Sequence, residues 1–398
     1  MAREHRPNAV IRDLSRVDGL PPGEARARAA VVREFEFRIT PYYAGLIDWS
    51  DPRDPLRLIV MPEVEELSDT LDFDPSDEAA NTRVRGLQHK YPPTALLLLT
   101  DVCATYCRFC FRKRFTLATD PAHHLRPEGE LDSAERETTF DISEGVRYIR
   151  AHPEIDNVLL TGGDPLMLSP SRLASALAEV RSVPHVDVIR IGTKVPAFDP
   201  ARITPELAGT LASAARADAR THVMCHFTHS RELTPEALAA TARLQEAGLV
   251  LTNQTPLLRG VNDDPEELAR LQRRLASTGT APYYVFLCRP THGNERYAVP
   301  LAEAVDIITA ARARLNGLAK RFRLVASHAT GKIEILGRHA DDLVFRYHEA
   351  RDPADQDRLL TWPAEHPLTW LDEVVAANRA GRSPGKGTVK RFRSLPQA

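Results

Sequence analysis

Short apolar stretches alternate with longer amphipathic stretches through the middle of the chain. The amphipathic stretches have the period of helices, and several begin with Ser, Thr or Asp followed by Pro, as helices commonly do. The apolar stretches have the length of buried strands and are ALLLLT (95–100), NVLLT (157–161), VDVIRIGT (186–193), THVMCHF (221–227), LVLTNQ (249–254), YYVFLC (283–288) and FRLVAS (322–327). This alternation predicts an α/β fold, a partial (β/α) TIM-like barrel of about six to seven parallel strands.

The two ends of the chain lack this alternation. Residues 1–94 are charged and rich in proline, and their one clear helical stretch, GEARARAAVVREF, predicts an N-terminal accessory helical region. Residues 95–335 contain the predicted barrel. Residues 336–398 are largely polar and end in a basic segment, so we expect a C-terminal extension with a loose end.

Composition and charge argue against several classes of protein. The 398-residue chain has a formal net charge of −2, which gives no indication of a nucleic-acid or anionic-membrane partner. No apolar stretch is long enough to span a membrane, and the start MAREHRPNAV lacks the apolar core of a signal peptide. Five cysteines, three of them close together, do not fit a disulfide framework. We therefore expect a soluble cytoplasmic protein.

Three cysteines follow the first predicted strand in the stretch TDVCATYCRFCFRKRF (100–115). They would lie at the C-terminal strand ends, where barrels carry their active sites. Zinc or a four-cysteine iron–sulfur cluster would need a fourth ligand, which Cys225 or Cys288 could supply for zinc. Cysteines can also be small core residues. A four-iron cluster with one open iron needs no fourth protein ligand.

The spacing C-x-x-x-C-x-x-C, with the aromatic Phe109 before its last cysteine, resembles the signature of the radical S-adenosylmethionine (SAM) superfamily. The resemblance implies that Cys103, Cys107 and Cys110 bind a [4Fe–4S] cluster whose open iron binds SAM. One electron from the reduced cluster then cleaves SAM and produces a 5′-deoxyadenosyl radical. On this interpretation SAM itself is the missing fourth ligand.

A second motif, TGGDP (161–165), lies at the end of the next predicted strand. Glycines let the backbone approach a ligand closely, and a carboxylate beside them can receive an ammonium group. Taken alone, the motif is compatible with a simple turn. Its position resembles the glycine-rich segment of the superfamily, which implies that Gly162, Gly163 and Asp164 hold the amino group of SAM.

Longer segments resemble one branch of the superfamily, the lysine 2,3-aminomutase family. They occur in the family's order between about residues 40 and 290 and include PYYAGLIDW, GLQHKYP, CATYCRFCFRKRF, LLTGGDPLML, CHFTHSRELT and NQTPLLRGVND. The resemblance implies an isomerase that uses pyridoxal phosphate (PLP) to move an amino group between adjacent carbons of an amino acid. It also implies an electron donor such as flavodoxin or ferredoxin, and it allows a homo-oligomer.

Individual positions take roles from this resemblance. Arg112 corresponds to the residue that grips the substrate α-carboxylate, for which a guanidinium fork is well suited. Lys332, in SHATGK, corresponds to the lysine that carries PLP. The other matching positions are Lys90 and Tyr91 for PLP, and Asp164, His226 or His229, Asn253 and Gln254 for SAM. Without the resemblance, the ordinary interpretations would be a solvated basic run at Arg112, a structural role for the histidines and a surface loop at Gly331-Lys332.

The sequence departs from the family at several places. Thr94 stands where the family has an arginine for the PLP phosphate, and the glycine run before Lys332 is shortened to Ala329-Thr330-Gly331. Arg289 and a non-acidic position near Ser327 replace two aspartates that bind the distal ammonium of lysine, and an arginine cannot accept a cation. The C-terminal cysteines that bind zinc in some relatives are absent, so we expect no zinc.

The resulting hypothesis is an amino-acid 2,3-aminomutase with an acidic substrate such as glutamate, whose distal carboxylate faces Arg289. The main alternative is a PLP-independent radical SAM enzyme that performs an epimerisation, rearrangement or dehydration, because Thr94 and the altered lysine loop weaken the PLP match. A regulatory or scaffold protein that holds zinc or a cluster is a third hypothesis. An Arg289 that turns outward to pair with Glu295 would remove the argument for an acidic substrate.

Overall fold

The computed structural model describes residues 10–116, 137–216 and 218–380. Twelve strands in these residues form one sheet, in which successive strands of the chain are also neighbours. The strands are β1 (Thr82–Val84), β2 (Leu87–Tyr91), β3 (Thr94–Thr100), β4 (Asn157–Gly162), β5 (Val188–Thr193), β6 (Thr221–Cys225), β7 (Val250–Leu257), β8 (Ala281–Leu287), β9 (Arg323–His328), β10 (Gly331–His339), β11 (Asp342–Ala350) and β12 (Leu359–Pro363).

The seven strands from β3 to β9 are parallel, which confirms the predicted α/β fold with a partial barrel. The sheet is open, with β1 and β12 at its two edges. The helices are α1 (Pro22–Ala27), α2 (Ala29–Glu34), α3 (Pro41–Ala44), α4 (Pro55–Val60), α5 (Lys113–Thr116), α6 (Ser143–Ala151), α7 (Pro170–Arg181), α8 (Val195–Phe198), α9 (Pro205–Ala212), α10 (Pro235–Glu246), α11 (Pro265–Ser277), α12 (Leu301–Ala313) and α13 (Asp372–Arg379). Among these helices, none is long and apolar enough to cross a membrane.

Four helices that follow parallel strands begin in the same way, with a capping side chain before a first helical proline. The caps are Ser169, Thr204, Thr234 and Asp264, and each side-chain oxygen accepts a backbone N–H of the first turn. Proline suits the next position because it has no N–H to leave unpaired and its φ is already helical. These local signals explain why the sequence predicted the helix starts.

The N-terminal region contains short helices and also the strands β1 and β2. These two strands are antiparallel to their neighbours and extend the sheet upstream of residue 94. Of the five residues of β2, LQHKY, only Leu87 and Tyr91 are apolar. The strand was therefore invisible to a search for apolar stretches.

The C-terminal segment is also more ordered than its polar composition indicates. The strands β10, β11 and β12 continue the sheet in antiparallel order, and α13 packs with them. In β11, Leu343, Phe345 and Tyr347 are buried while the residues between them are less so, which is the pattern of a strand with one buried face. The sheet continues across residues 94 and 335, so the domain boundaries there stay a prediction, and the basic end lies outside the described residues.

Side chains join the two ends of the parallel part of the sheet. Lys90 Nζ on β2 donates to the carbonyl oxygen of His328 at the end of β9. Ser76 Oγ donates to the carbonyl oxygen of Ser327 at 2.9 Å, and the Tyr91 ring lies 5.2 Å from Lys332 Nζ on β10. The open sheet thereby encloses a cavity without backbone pairing between β2 and β9.

Candidate active site

A cavity of about 310 Å³ lies at the carboxyl ends of the parallel strands and extends into the space that they enclose. Barrel enzymes carry their active sites at this edge. Most residues that the sequence singled out line this one cavity: Tyr91, Cys103, Cys107, Cys110, Arg112, Gly162, Gly163, Asp164, His226, Gln254, Arg289 and Lys332. Lys90, His229 and Asn253 do not line it.

The three cysteines lie on the loop between β3 and α5, and all three are partly exposed to the cavity. Cys110 Sγ accepts the N–H of Arg112 at 3.4 Å. Burial raises the pKa of Cys103 and of Cys107, and the neighbouring thiols act in the same direction, whereas a bound metal favours the thiolate form. No three described His, Cys, Asp or Glu side chains converge on a point for one metal ion, whereas a four-iron cluster bonds each cysteine to a different iron.

The glycines of TGGDP pack against the backbone that leads into the cysteine loop. Gly162 has φ +119°, and a Cβ added to it would collide with the carbonyl oxygen of Thr100. A Cβ on Gly163 would lie 2.6 Å from the carbonyl oxygen of Val102. The N–H of Asp164 donates to that same oxygen at 2.9 Å. The motif therefore fixes where the cysteine loop begins.

The Asp164 carboxylate is engaged within the protein. Oδ1 accepts the N–H of Leu166 at 3.0 Å, and Oδ2 accepts the Thr193 hydroxyl at 2.9 Å and the N–H of Lys194 at 2.8 Å. Burial raises the pKa of Asp164, although these hydrogen bonds oppose the change. Asp164 thus links the end of β4 to the turn after β5.

Lys194 is a cavity residue that sequence analysis missed. Its Nζ donates to the carbonyl oxygen of His226 and to Glu232 Oε1, both at 2.8 Å, and to the Thr228 hydroxyl at 2.9 Å. Glu232 Oε1 also accepts the Tyr43 hydroxyl at 2.7 Å. The lysine therefore holds the turn after β6 against β5. Its place directly after a parallel strand was the signal that could have identified it.

The histidines and amides predicted for the SAM pocket divide into two groups. His226 and Gln254 line the cavity. Burial, helped by the charge of Lys194, lowers the pKa of His226 well below its ordinary value, which favours the neutral imidazole. Asn253 instead forms hydrogen bonds with both backbone groups of Phe227. Its Oδ1 accepts the N–H at 2.7 Å, and its Nδ2 donates to the carbonyl oxygen at 3.1 Å. His229 Nδ1 accepts the N–H of Arg231. Asn253 and His229 shape the turn that presents His226.

Arg112 is held by the protein on both sides of its guanidinium. Nη1 donates to the Thr161 hydroxyl, and Nη2 pairs with Glu78 Oε1, each at 3.0 Å. Glu78 Oε2 also accepts from Arg114 at 3.1 Å. Burial by itself would raise the pKa of Glu78, but Arg112, Arg289 and Arg114 lower it to about 2. Glu78, which the sequence did not indicate, therefore stays ionised and orients Arg112.

Arg289 lines the cavity after β8. Its guanidinium carbon lies 3.9 Å from the centroid of the Phe111 ring, which has Arg112 at 4.7 Å as well. Glu295 is exposed, and within the described residues Arg289 makes no side-chain hydrogen bond or ion pair with it or with any other group. A cation that interacts with the charge of Glu78 but makes no ion-pair contact thus faces the same cavity as Arg112.

Lys332 is the second residue of β10, opposite Glu349 on β11. Its Nζ donates to Glu349 Oε2 at 2.7 Å and lies 5.2 Å and 5.0 Å from the rings of Tyr91 and Tyr284. Burial lowers the pKa of Lys332, while Glu349 opposes the change. A partly desolvated amine between two aromatic rings can bind a planar carbonyl compound covalently.

Replacing Gly163 by Ala is expected to destabilise the protein by about 1–3 kcal/mol, because the new Cβ would press against backbone that cannot rotate away. Urea unfolding followed by circular dichroism measures the change. The matched control is Gly209→Ala in α9, where an added Cβ meets nothing within 4 Å and a helix former replaces glycine. Equal stability of the two variants would contradict the packing role of Gly163.

Comparison with known proteins first identifies the class. The radical SAM superfamily matches residues 97–271, which contain the cysteine loop and TGGDP. An Aquifex aeolicus protein provisionally named L-lysine 2,3-aminomutase is 44% identical over 379 residues, which are 94% of this chain and 97% of the relative. The L-lysine 2,3-aminomutase of Fusobacterium nucleatum is 36% identical over 82% of this chain and 73% of its own length. The glutamate 2,3-aminomutase of Clostridioides difficile is 32% identical over 81% and 73%.

The chain belongs to the lysine 2,3-aminomutase family of radical SAM enzymes. This confirms the resemblance drawn from the motifs and makes the protein an isomerase of aminomutase type with a small-molecule substrate. A [4Fe–4S] cluster and SAM are the cofactors of the superfamily. The three cavity cysteines and the turns at the ends of β4 and β6 fit these groups, because they supply sulfur ligands and polar groups in one enclosed space.

Proposed function

We propose that this enzyme catalyses a 1,2-amino shift in an acidic amino acid such as glutamate, with PLP carried on Lys332. The observation that carries the proposal is Arg289, a cation that faces the cavity and has no ion-pair partner among the described residues. A carboxylate can form paired, charge-assisted hydrogen bonds with such a guanidinium. The similarity to a glutamate 2,3-aminomutase agrees with this substrate class.

Arg112 and Arg289 would bind the two carboxylates of the substrate. Their guanidinium groups both lie close to one ring, that of Phe111, at 4.7 Å and 3.9 Å from its centroid. Glu78 neutralises part of this positive charge and keeps Arg112 in position. The ammonium group of lysine would instead face Arg289, and bringing these like charges together costs several kcal/mol.

Different residues of the cavity suit the two cofactor systems. Cys103, Cys107 and Cys110 would hold the cluster, and His226 and Gln254 would contact SAM. Lys332, between Tyr91 and Tyr284, suits the flat ring of PLP. When bound, the cluster with SAM supplies radical abstraction of a substrate hydrogen, and PLP supplies the π system that the migrating nitrogen needs. Reduction requires an electron donor such as ferredoxin or flavodoxin, and a homo-oligomer remains an expectation from the family.

The test is to supply anaerobic, reconstituted protein with SAM, PLP and reductant, and then with glutamate or lysine. We expect 3-aminoglutarate from glutamate and no turnover of lysine. Borohydride reduction followed by peptide mapping should place a pyridoxyl group on Lys332 and none on Lys90, whose Nζ donates to a backbone carbonyl. Turnover of lysine would contradict the substrate proposal, and a protein that never binds PLP would favour the PLP-independent alternative.

A further inference from the structure

Arg190 is a charged residue of the cavity to which neither the motifs nor the relatives assign a role. It lies on β5, on the face that lines the cavity, with Leu159 of β4 as its register partner. Arg190 Nε donates to Asn157 Oδ1 at 2.9 Å, and Asn157 Nδ2 donates to Thr94 Oγ1 at 3.2 Å. A hydrogen-bonded row thus runs from β3 across β4 to β5.

The two Nη groups of Arg190 make no hydrogen bond or ion pair within the described residues. Fixing a guanidinium through Nε alone leaves its fork of N–H donors available to an oxyanion. The Arg190 side chain is half-buried on the cavity wall, so such an anion would be partly shielded from water.

The surrounding charges also favour an anion. The carboxylate of Glu349 interacts with the charge of Arg190, but its Oε2 already pairs with Lys332 Nζ at 2.7 Å. Burial is the main cause that lowers the pKa of Lys332, and the positive charges of Arg190 and Arg289 contribute to the same change. This end of the cavity therefore holds more positive than negative charge.

We propose that Arg190 binds the phosphate group of PLP, in place of the arginine whose position is occupied by Thr94. The inference rests on the proposed use of PLP at Lys332. It is carried by the row Thr94–Asn157–Arg190, which links a guanidinium to the altered position through Asn157, and by the cavity that Arg190 shares with Lys332. The competing interpretation is that Arg190 only orients Asn157.

The experiment compares PLP with pyridoxal, which lacks the phosphate. Each is titrated into the wild-type enzyme and into Arg190→Gln, with absorbance and borohydride labelling of Lys332 as readouts. We expect the variant to bind PLP about 10- to 100-fold more weakly, the loss typical of a contact to a charged group, and to bind pyridoxal as the wild type does. Unchanged PLP affinity, or equal weakening toward both compounds, would overturn the proposal.

Two further variants sharpen the result. Thr94→Arg in the Arg190→Gln protein should restore most of the PLP affinity, because it returns an arginine to the other end of the row. Arg220→Gln, at an exposed arginine directly before β6, should bind PLP as the wild type does. Formation of 5′-deoxyadenosine by each variant confirms that it is folded. If the wild type binds no PLP, both proposals fail, whereas failure in the variants alone overturns only the role of Arg190.

Discussion

Replacing Cys103, Cys107 or Cys110 by Ala is expected to abolish 5′-deoxyadenosine formation from SAM. Each thiolate would bond a separate iron of the cluster, and one iron must stay open for SAM, so no protein ligand is spare. The three thiols face one cavity from a single short loop. Iron content and 5′-deoxyadenosine, measured after anaerobic reconstitution and dithionite reduction, should fall together to the background.

The matched control is Cys225→Ala. Cys225 is fully buried at the end of β6 and does not line the cavity. Its loss should leave the cluster intact and cost about 1 kcal/mol of stability through a small cavity. A protein that lacks all three loop cysteines and still cleaves SAM would refute the central assignment. Cys288 also lines the cavity. If Cys288 replaced a missing loop cysteine as an iron ligand, the corresponding single variant would keep its activity.

Replacing Arg289 by Gln is expected to lower kcat/KM for the acidic substrate by about 100-fold or more. Removing one partner of a desolvated charge pair costs roughly 3 kcal/mol, because the substrate carboxylate is left without its counter-charge. Gln keeps a hydrogen-bond donor and most of the contact with Phe111, so the change isolates the charge. Steady-state kinetics with glutamate measure the effect, and SAM cleavage without substrate should be unaffected.

Glu295→Ala is the control that distinguishes an Arg289 that faces the cavity from one that turns outward to pair with Glu295. Glu295 is exposed, and its removal should leave kcat/KM unchanged. An effect of Glu295→Ala similar to that of Arg289→Gln would mean that the two residues work as a surface pair. Undiminished use of an acidic substrate by Arg289→Gln would remove Arg289 from substrate recognition.

Much of the fold could be predicted because parallel strands buried on both faces appear as apolar stretches. Helices between them carried local signals, such as the proline after Thr204 or Thr234. The strands β1, β2 and β10 to β12 were missed because their polar residues interrupt the apolar pattern. Whether such a segment forms a strand depends on an adjacent strand that offers unpaired backbone groups, which no local pattern reveals.

The candidate site shows the same division. The sequence indicated that the cysteine loop, the glycine motif and Arg289 share one edge of the sheet, because each follows a parallel strand. Arg112 and Lys332 were indicated by the family resemblance, and Lys332 lies on the antiparallel strand β10. Only the tertiary structure decided that Glu78 pairs with Arg112, that Glu349 pairs with Lys332, and that Lys194 and Arg190 share their cavity. The physical reason is that a buried charge depends on partners brought together from distant segments, and spacing along the chain does not contain that distance.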